Sequence, residues 1–138
     1  MIGTLAVAAG GAAGSLLRYW ATLLAARWGS AGFPWSTIAI NVVGSFVIGW
    51  FAAATMPGGA SPASHETRLL VMTGPLVTTG PLVMTGLCGG FTTFSAFSLQ
   101  TLDLMRAGDW PGAAANILLS VVLCLVAVVL GHWAAQPA

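Results

Sequence analysis

The sequence predicts an all-α membrane protein of four transmembrane helices, the third broken at Gly89-Gly90. Two observations predict the class. Only 5% of the residues are charged while 57% are hydrophobic, against roughly 25% charged in soluble domains. Apolar runs of spanning length, each needing about 20 residues, follow one another along the chain. A third observation predicts the break. The run from Gly89 to Ser98 (GGFTTFSAFS) starts with two glycines and sets hydroxyl and aromatic residues inside apolar sequence. Paired glycines invite the backbone out of helical geometry. Irregular backbone at membrane depth survives only where protein buries it or where it lines a wet cavity.

The chain reads as one domain over residues 1–138, with membrane segments at about 2–26, 35–56, 68–106 and 111–133. The first begins without a basic flank, so it is expected to be a retained helix and not a cleaved signal. It ends near Arg27. Pro34-Trp35 opens the second, which stops at the glycine and proline of residues 57–59; residues 57–67 form a polar loop. Gly108 to Pro111 make the turn into the fourth, with Asp109 as N-cap and Pro111 at the first helical position. Six tryptophans lie mostly near the predicted ends, as an interfacial belt requires.

The third region is too long for one ordinary span and contains a repeat. Residues 70–75 (LVMTGP), 76–81 (LVTTGP) and 82–87 (LVMTGL) are near copies of one hexad, a triplication over 70–87. A tandem duplication of twelve residues accounts for it. Pro75 and Pro81 each remove a backbone donor and kink or end a helix, which predicts an irregular or re-entrant extension.

Composition excludes several functions. A net charge of +1 without a basic cluster gives no footprint for nucleic acid. Cys88 and Cys124 sit in apolar spans and read as small buried hydrophobes, not as a disulfide or metal pair. The first, second and fourth spans hold no acid, and no nucleophile–base pair or phosphate loop is present, so the chain is expected not to be an enzyme. Arginines are nearly balanced between the two sides that hairpin topology defines. That leaves two readings: a bundle oriented by partners, or insertion both ways to give an antiparallel homodimer.

The remaining polar residues form tracks. Thr37, Asn41, Ser45 and Gly49 recur at helical spacing on one face of the second span, and Asn116, Ser120 and Cys124 on one face of the fourth. An intramembrane amide either glues helices or replaces water around a passing anion. Arg18 either snorkels to the interface or sits at a vestibule that draws anions in. Gly10 and Gly14 suit close helix contact. Phe94 and Phe97, three apart, either pack in a core or turn electropositive ring edges toward an anion. Carbonyls freed by Gly89-Gly90 and Thr92 suit a small cation, as in other discontinuous membrane helices.

Three motifs carry a family resemblance: GGAAGSLLRY from Gly10 to Tyr19, STIAINVVGSF from Ser36 to Phe46, and GLCGGFTTFSAFS from Gly86 to Ser98. They resemble the Fluc/CrcB fluoride channels, in order and over essentially the whole chain. The resemblance implies a fluoride-selective channel that lets the ion leave the cytoplasm passively and so reduces fluoride toxicity. It implies a multi-pass protein of the cell inner (plasma) membrane, built as a dual-topology antiparallel homodimer or with a paralogous subunit. By motif position, structural Na+ on the two-fold axis would be held by the carbonyls of Gly89 and Thr92. The fluoride pathway would use Phe94, Phe97, Asn41, Thr37, Arg18, Asn116 and Ser120. Asn116 stands where the family often has tyrosine, and Cys124 where it has serine. The family carries one hexad copy where this chain has three, an excess of about 18 Å if helical. Two other classes fit a four-helix membrane subunit: a small dual-topology drug exporter, which normally needs an intramembrane carboxylate, and a non-transporting structural subunit.

Overall fold

A computed structural model describes residues 2–27, 32–55 and 80–136, and every regular element among them is helical. Helix α1 spans Ile2–Ala26 and α2 spans Trp35–Thr55. The third segment is built in pieces. Wide, π-type turns form α3 (Pro81–Cys88), three further helical residues form α4 (Gly89–Phe91), and α5 (Phe94–Arg106) follows an interruption. Helix α6 spans Trp110–Ala134. Among the described residues, Trp35–Thr55, Leu82–Arg106 and Trp110–Ala134 are long and apolar enough to cross a membrane. The 25 residues of α1 would reach about 37 Å at 1.5 Å per residue, enough for a hydrocarbon core near 30 Å.

The helix ends follow local chemistry. Gly108 turns the chain between α5 and α6 at φ 80°, in the left-handed region that glycine enters freely. Asp109 then caps α6, its Oδ1 accepting from the Gly112 N–H at 2.9 Å. Trp110 takes the first helical position and Pro111 the second, where a missing donor is still harmless.

Packing divides the helices into two layers. Helix α2 lies along α6, while α1 lies along α3 and α4; α5 packs against α6 near their shared turn. Lipid tails are as apolar as leucine, so close backbone approach and dispersion must hold such contacts. Glycines provide it. A Cβ at Gly49 would collide with the Val128 carbonyl, and one at Gly131 with the Phe46 carbonyl. Between α1 and the third segment, a Cβ at Gly90 would stand 2.7 Å from the Gly11 carbonyl oxygen. Gly14 meets the Leu87 carbonyl in the same way. The outward face of α6 is apolar, with Leu118 and Leu125 exposed toward lipid and Trp110 and Trp133 exposed at its two ends.

The interruption lies further on than the glycine pair suggested. Gly89 is helical at φ −64°, ψ −37°, and the chain turns extended only at Thr92 (φ −78°, ψ 160°) and Thr93 (φ −153°, ψ 108°). The correction has a physical cause. Gly90 lacks a side chain because the Gly11 backbone occupies the space, so its glycine serves approach and not unwinding. Of the hexads, the third (Leu82–Leu87) lies in α3, with Pro81 at its start. Residues 70–79, and with them Pro75 and the expected re-entrant extension, fall outside the described residues. So do Trp28, the polar loop and Arg68.

Candidate functional site

The site is organised by one side chain from α2. Asn41 reaches the interruption and clasps Thr93 through both ends of its amide: the Thr93 N–H donates to Asn41 Oδ1 at 2.8 Å, and Asn41 Nδ2 donates to the Thr93 carbonyl at 3.2 Å. The amide mimics a peptide group and satisfies an extended residue that a bilayer would otherwise leave unpaired. Thr93 is buried, 8% exposed. Its Oγ1 caps α5 by accepting from the Ala96 N–H at 3.1 Å. Gluing is therefore one role of Asn41, and its second amide hydrogen is left over.

The break releases backbone carbonyls, those of Gly89 and Thr92 among them. In an unbroken helix, Gly89 C=O would accept from the Thr93 N–H, and Thr92 C=O from the Ala96 N–H. The first donor goes to Asn41 and the second to Thr93 Oγ1. The Cys88 carbonyl, by contrast, accepts both the N–H and the Oγ1 of Thr92 at 2.9 Å each. Gly89 and Thr92 thus offer hard oxygen acceptors of the type small cations prefer.

Beside the interruption lies a cleft of about 410 Å³. Asn41, Ser45, Gly89, Thr92, Phe94, Phe97, Ser120 and Cys124 line it, which brings most of the sequence-predicted residues to one place. The rings of Phe94 and Phe97 sit 5.3 Å apart, tilted by 46°. Phe94 is 78% exposed, so within this chain it is not a core residue. Two phenyl rings and the hydroxyl residues Ser45 and Ser120 line this common space, and ring edges and hydroxyl hydrogens are weak positive poles without fixed charge.

A second cleft, of about 340 Å³, holds the other predicted residues. Arg18 of α1 and Thr37 of α2 line it, together with Thr22, Thr93 and Gln100. Thr93 lines both clefts and forms the wall between them. Asn116 lines neither. Among the described residues it is the most buried large polar side chain, 1% exposed, and it donates to Thr101 Oγ1 at 2.8 Å. Ser120 Oγ in turn donates to Asn116 Oδ1 at 3.4 Å. Asn116 therefore stands behind Ser120 as a partner across α5 and α6.

Two residues had no role assigned from sequence. Thr93 is the cap of α5, and a hydroxyl residue just ahead of an apolar helix is the signal that marks it. Gln100 lines the Arg18 cleft, and its buried Oε1 has no hydrogen-bond partner among the described residues. Its signal is helical spacing, seven residues from Thr93 on the same side of the segment.

Spanning helices, an interrupted segment held open by an amide, and clefts lined with donors and ring edges define a polytopic membrane protein equipped for an ion pathway. The chain belongs to the CrcB family: the description "CrcB-like protein, Camphor Resistance (CrcB)" matches residues 5–132. A relative from Opitutus terrae named "Fluoride-specific ion channel FluC" is 52% identical over 129 residues, covering 94% of this chain and 89% of its own. Proteins of the same name from Paramagnetospirillum magneticum and Methylobacterium radiotolerans are 47% and 50% identical. They cover 94% and 89% of this chain, and 91% and 77% of their own lengths.

Proposed function

We propose that this chain is a fluoride-selective channel subunit of the cell inner (plasma) membrane, releasing fluoride from the cytoplasm down its electrochemical gradient. It performs no chemistry on the ion. The observation that carries the reading is the gathering of Asn41, Ser45, Phe94, Phe97 and Ser120 on one cleft beside the interruption. Relatives sharing about half of the sequence bear the name of fluoride channels.

Fluoride is small and strongly hydrated, so stripping its water is the main barrier. The cleft answers with donors in series: the spare amide hydrogen of Asn41, the hydroxyl of Ser45, that of Ser120 once it turns from Asn116 Oδ1, and the ring edges of Phe94 and Phe97. None carries a full charge, so no single position holds the ion long, as conduction requires. Arg18 and Thr37 collect the anion in the second cleft, and Thr93 stands on the way between the two. A negative-inside potential drives the anion outward with about 2.3 kcal/mol per 100 mV.

The released carbonyls of Gly89 and Thr92 would hold structural Na+ together with the same groups of a second, antiparallel copy or a paralogous subunit. Na+ there supplies fixed positive charge that satisfies the unpaired carbonyls. Exposed Gly89 and Phe94 are the groups such a partner would cover. Expression in cells stripped of their own fluoride exporters tests the function. Growth in fluoride medium should be restored, and Asn41→Asp and Phe94→Ile should abolish the rescue at equal membrane abundance. Unchanged sensitivity with the wild-type chain in the membrane would contradict the proposal.

A further inference from the structure

A line of hydrogen bonds runs inward from the wall of the larger cleft. Ser120 lines that cleft and donates from Oγ to Asn116 Oδ1 at 3.4 Å. Asn116 Nδ2 donates to Thr101 Oγ1 at 2.8 Å, and Thr101 Oγ1 donates to the Phe97 carbonyl at 2.8 Å. All three side chains are buried. The direction of the line is set at its inner end. Thr101 commits its one hydrogen to the helix turn behind it, as threonine in a helix often does. Its oxygen can then only accept, so the Asn116 amide must present Nδ2 to Thr101 and Oδ1 to Ser120. Ser120 faces an acceptor and is left as the donor. That last bond is the long one, since hydroxyl donors usually sit about 2.7–2.8 Å from their acceptor.

We propose that Thr101 and Asn116 are positioning residues of the fluoride pathway, holding the Ser120 hydrogen off the cleft when no ion is present and yielding it to a passing anion. The role rests on the fluoride reading and deepens it. When fluoride arrives, the Ser120 hydroxyl turns about its Cβ–Oγ bond from Asn116 to the ion. Its oxygen then faces Asn116 Oδ1, acceptor against acceptor, because Thr101 keeps the amide from turning over. A donor opposed in this way grips the anion less strongly than a free hydroxyl. That suits conduction, which needs a site the ion can leave. Thr101 lines neither cleft, so it reaches the ion only through the amide and the serine.

Fluoride release from proteoliposomes, measured across a range of internal fluoride concentrations, tests the role. Thr101→Val keeps the branched shape and removes the acceptor, so the amide is free to turn over and donate Nδ2 to Ser120 Oγ. The Ser120 hydrogen then belongs to the cleft. Half-saturating fluoride should fall by roughly two- to tenfold, the worth of one hydrogen bond, with a lower maximal rate. Asn116→Leu removes the acceptor for Ser120 and strands no donor, because Thr101 keeps its hydrogen on the Phe97 carbonyl. It should shift half-saturation the same way, so the test does not hang on one variant folding. Thr101→Ser restores the hydroxyl and should match wild type. In a Ser120→Ala background, adding Thr101→Val should leave half-saturation where Ser120→Ala alone sets it, a result that a general loss of packing would not give. Half-saturation unmoved in both folded variants overturns the role, as does an equal shift by Thr101→Val with and without Ser120. No release from folded wild type overturns the fluoride reading and this role with it, whereas release with half-saturation unmoved overturns this role alone.

Discussion

Replacing Asn41 with leucine removes the clasp on Thr93 while keeping four side-chain heavy atoms branched at Cγ. The wild-type amide makes two hydrogen bonds, at 2.8 and 3.2 Å, to a residue that is 8% exposed. Each buried peptide group left unpaired costs about 1–3 kcal/mol, so the two together would cost about 2–6 kcal/mol. Relaxation offsets part of this. The freed Thr93 N–H can return to the Gly89 carbonyl and re-form one helical bond, which leaves a net loss of about 1–3 kcal/mol. In detergent that corresponds to a fall of roughly 4–12 °C in unfolding temperature. The same relaxation withdraws the Gly89 carbonyl and straightens the segment, so fluoride release from proteoliposomes should fall with it. Asn41→Asp keeps the acceptor for the Thr93 N–H, but an ionised carboxylate sets its second oxygen against the Thr93 carbonyl and buries a charge, so it should lose at least as much stability as Asn41→Leu. The reasoning is refuted if Asn41→Leu unfolds at the wild-type temperature and conducts at the wild-type rate.

Two further outcomes follow from the packing and the cleft. Gly90→Ala would drive a Cβ to 2.7 Å from the Gly11 carbonyl oxygen, whereas a Cβ at Gly11 meets nothing within 4 Å. Gly90→Ala should therefore cost about 1–3 kcal/mol and Gly11→Ala almost nothing, read as thermal unfolding in one detergent. Phe94→Ile replaces a ring that is 78% exposed, so unfolding should shift by less than about 0.5 kcal/mol while fluoride release is lost. A large loss of stability in that variant would make Phe94 a packing residue.

What was legible in the sequence was local in its physics. Asp109 and Gly108 act within one turn of where they stand, so the start of α6 follows from residue type alone. The helical class followed from composition, because a bilayer leaves few ways to satisfy a backbone. The interruption was legible in kind and misplaced in position. Gly89-Gly90 carries the propensity to unwind, but the need for glycine comes from α1, and Gly11 is nearly eighty residues away in sequence. Asn41 left two readings open for the same reason, since its partner Thr93 is 52 residues along the chain. Asn116 looked like part of a pathway by spacing, and only its bond to Thr101 on α5 places it behind Ser120. Gln100 drew no attention as a lone amide; its unpartnered oxygen becomes visible only when the cleft beside Arg18 exists.

The most direct test of the central claim loads proteoliposomes with fluoride and chloride together and opens a potassium conductance to draw anions out. Both ions are followed by selective electrodes. The account predicts rapid passive release of fluoride with chloride retained, and no release of either through Phe94→Ile. Equal release of both ions, or none from the folded wild-type protein, would contradict it.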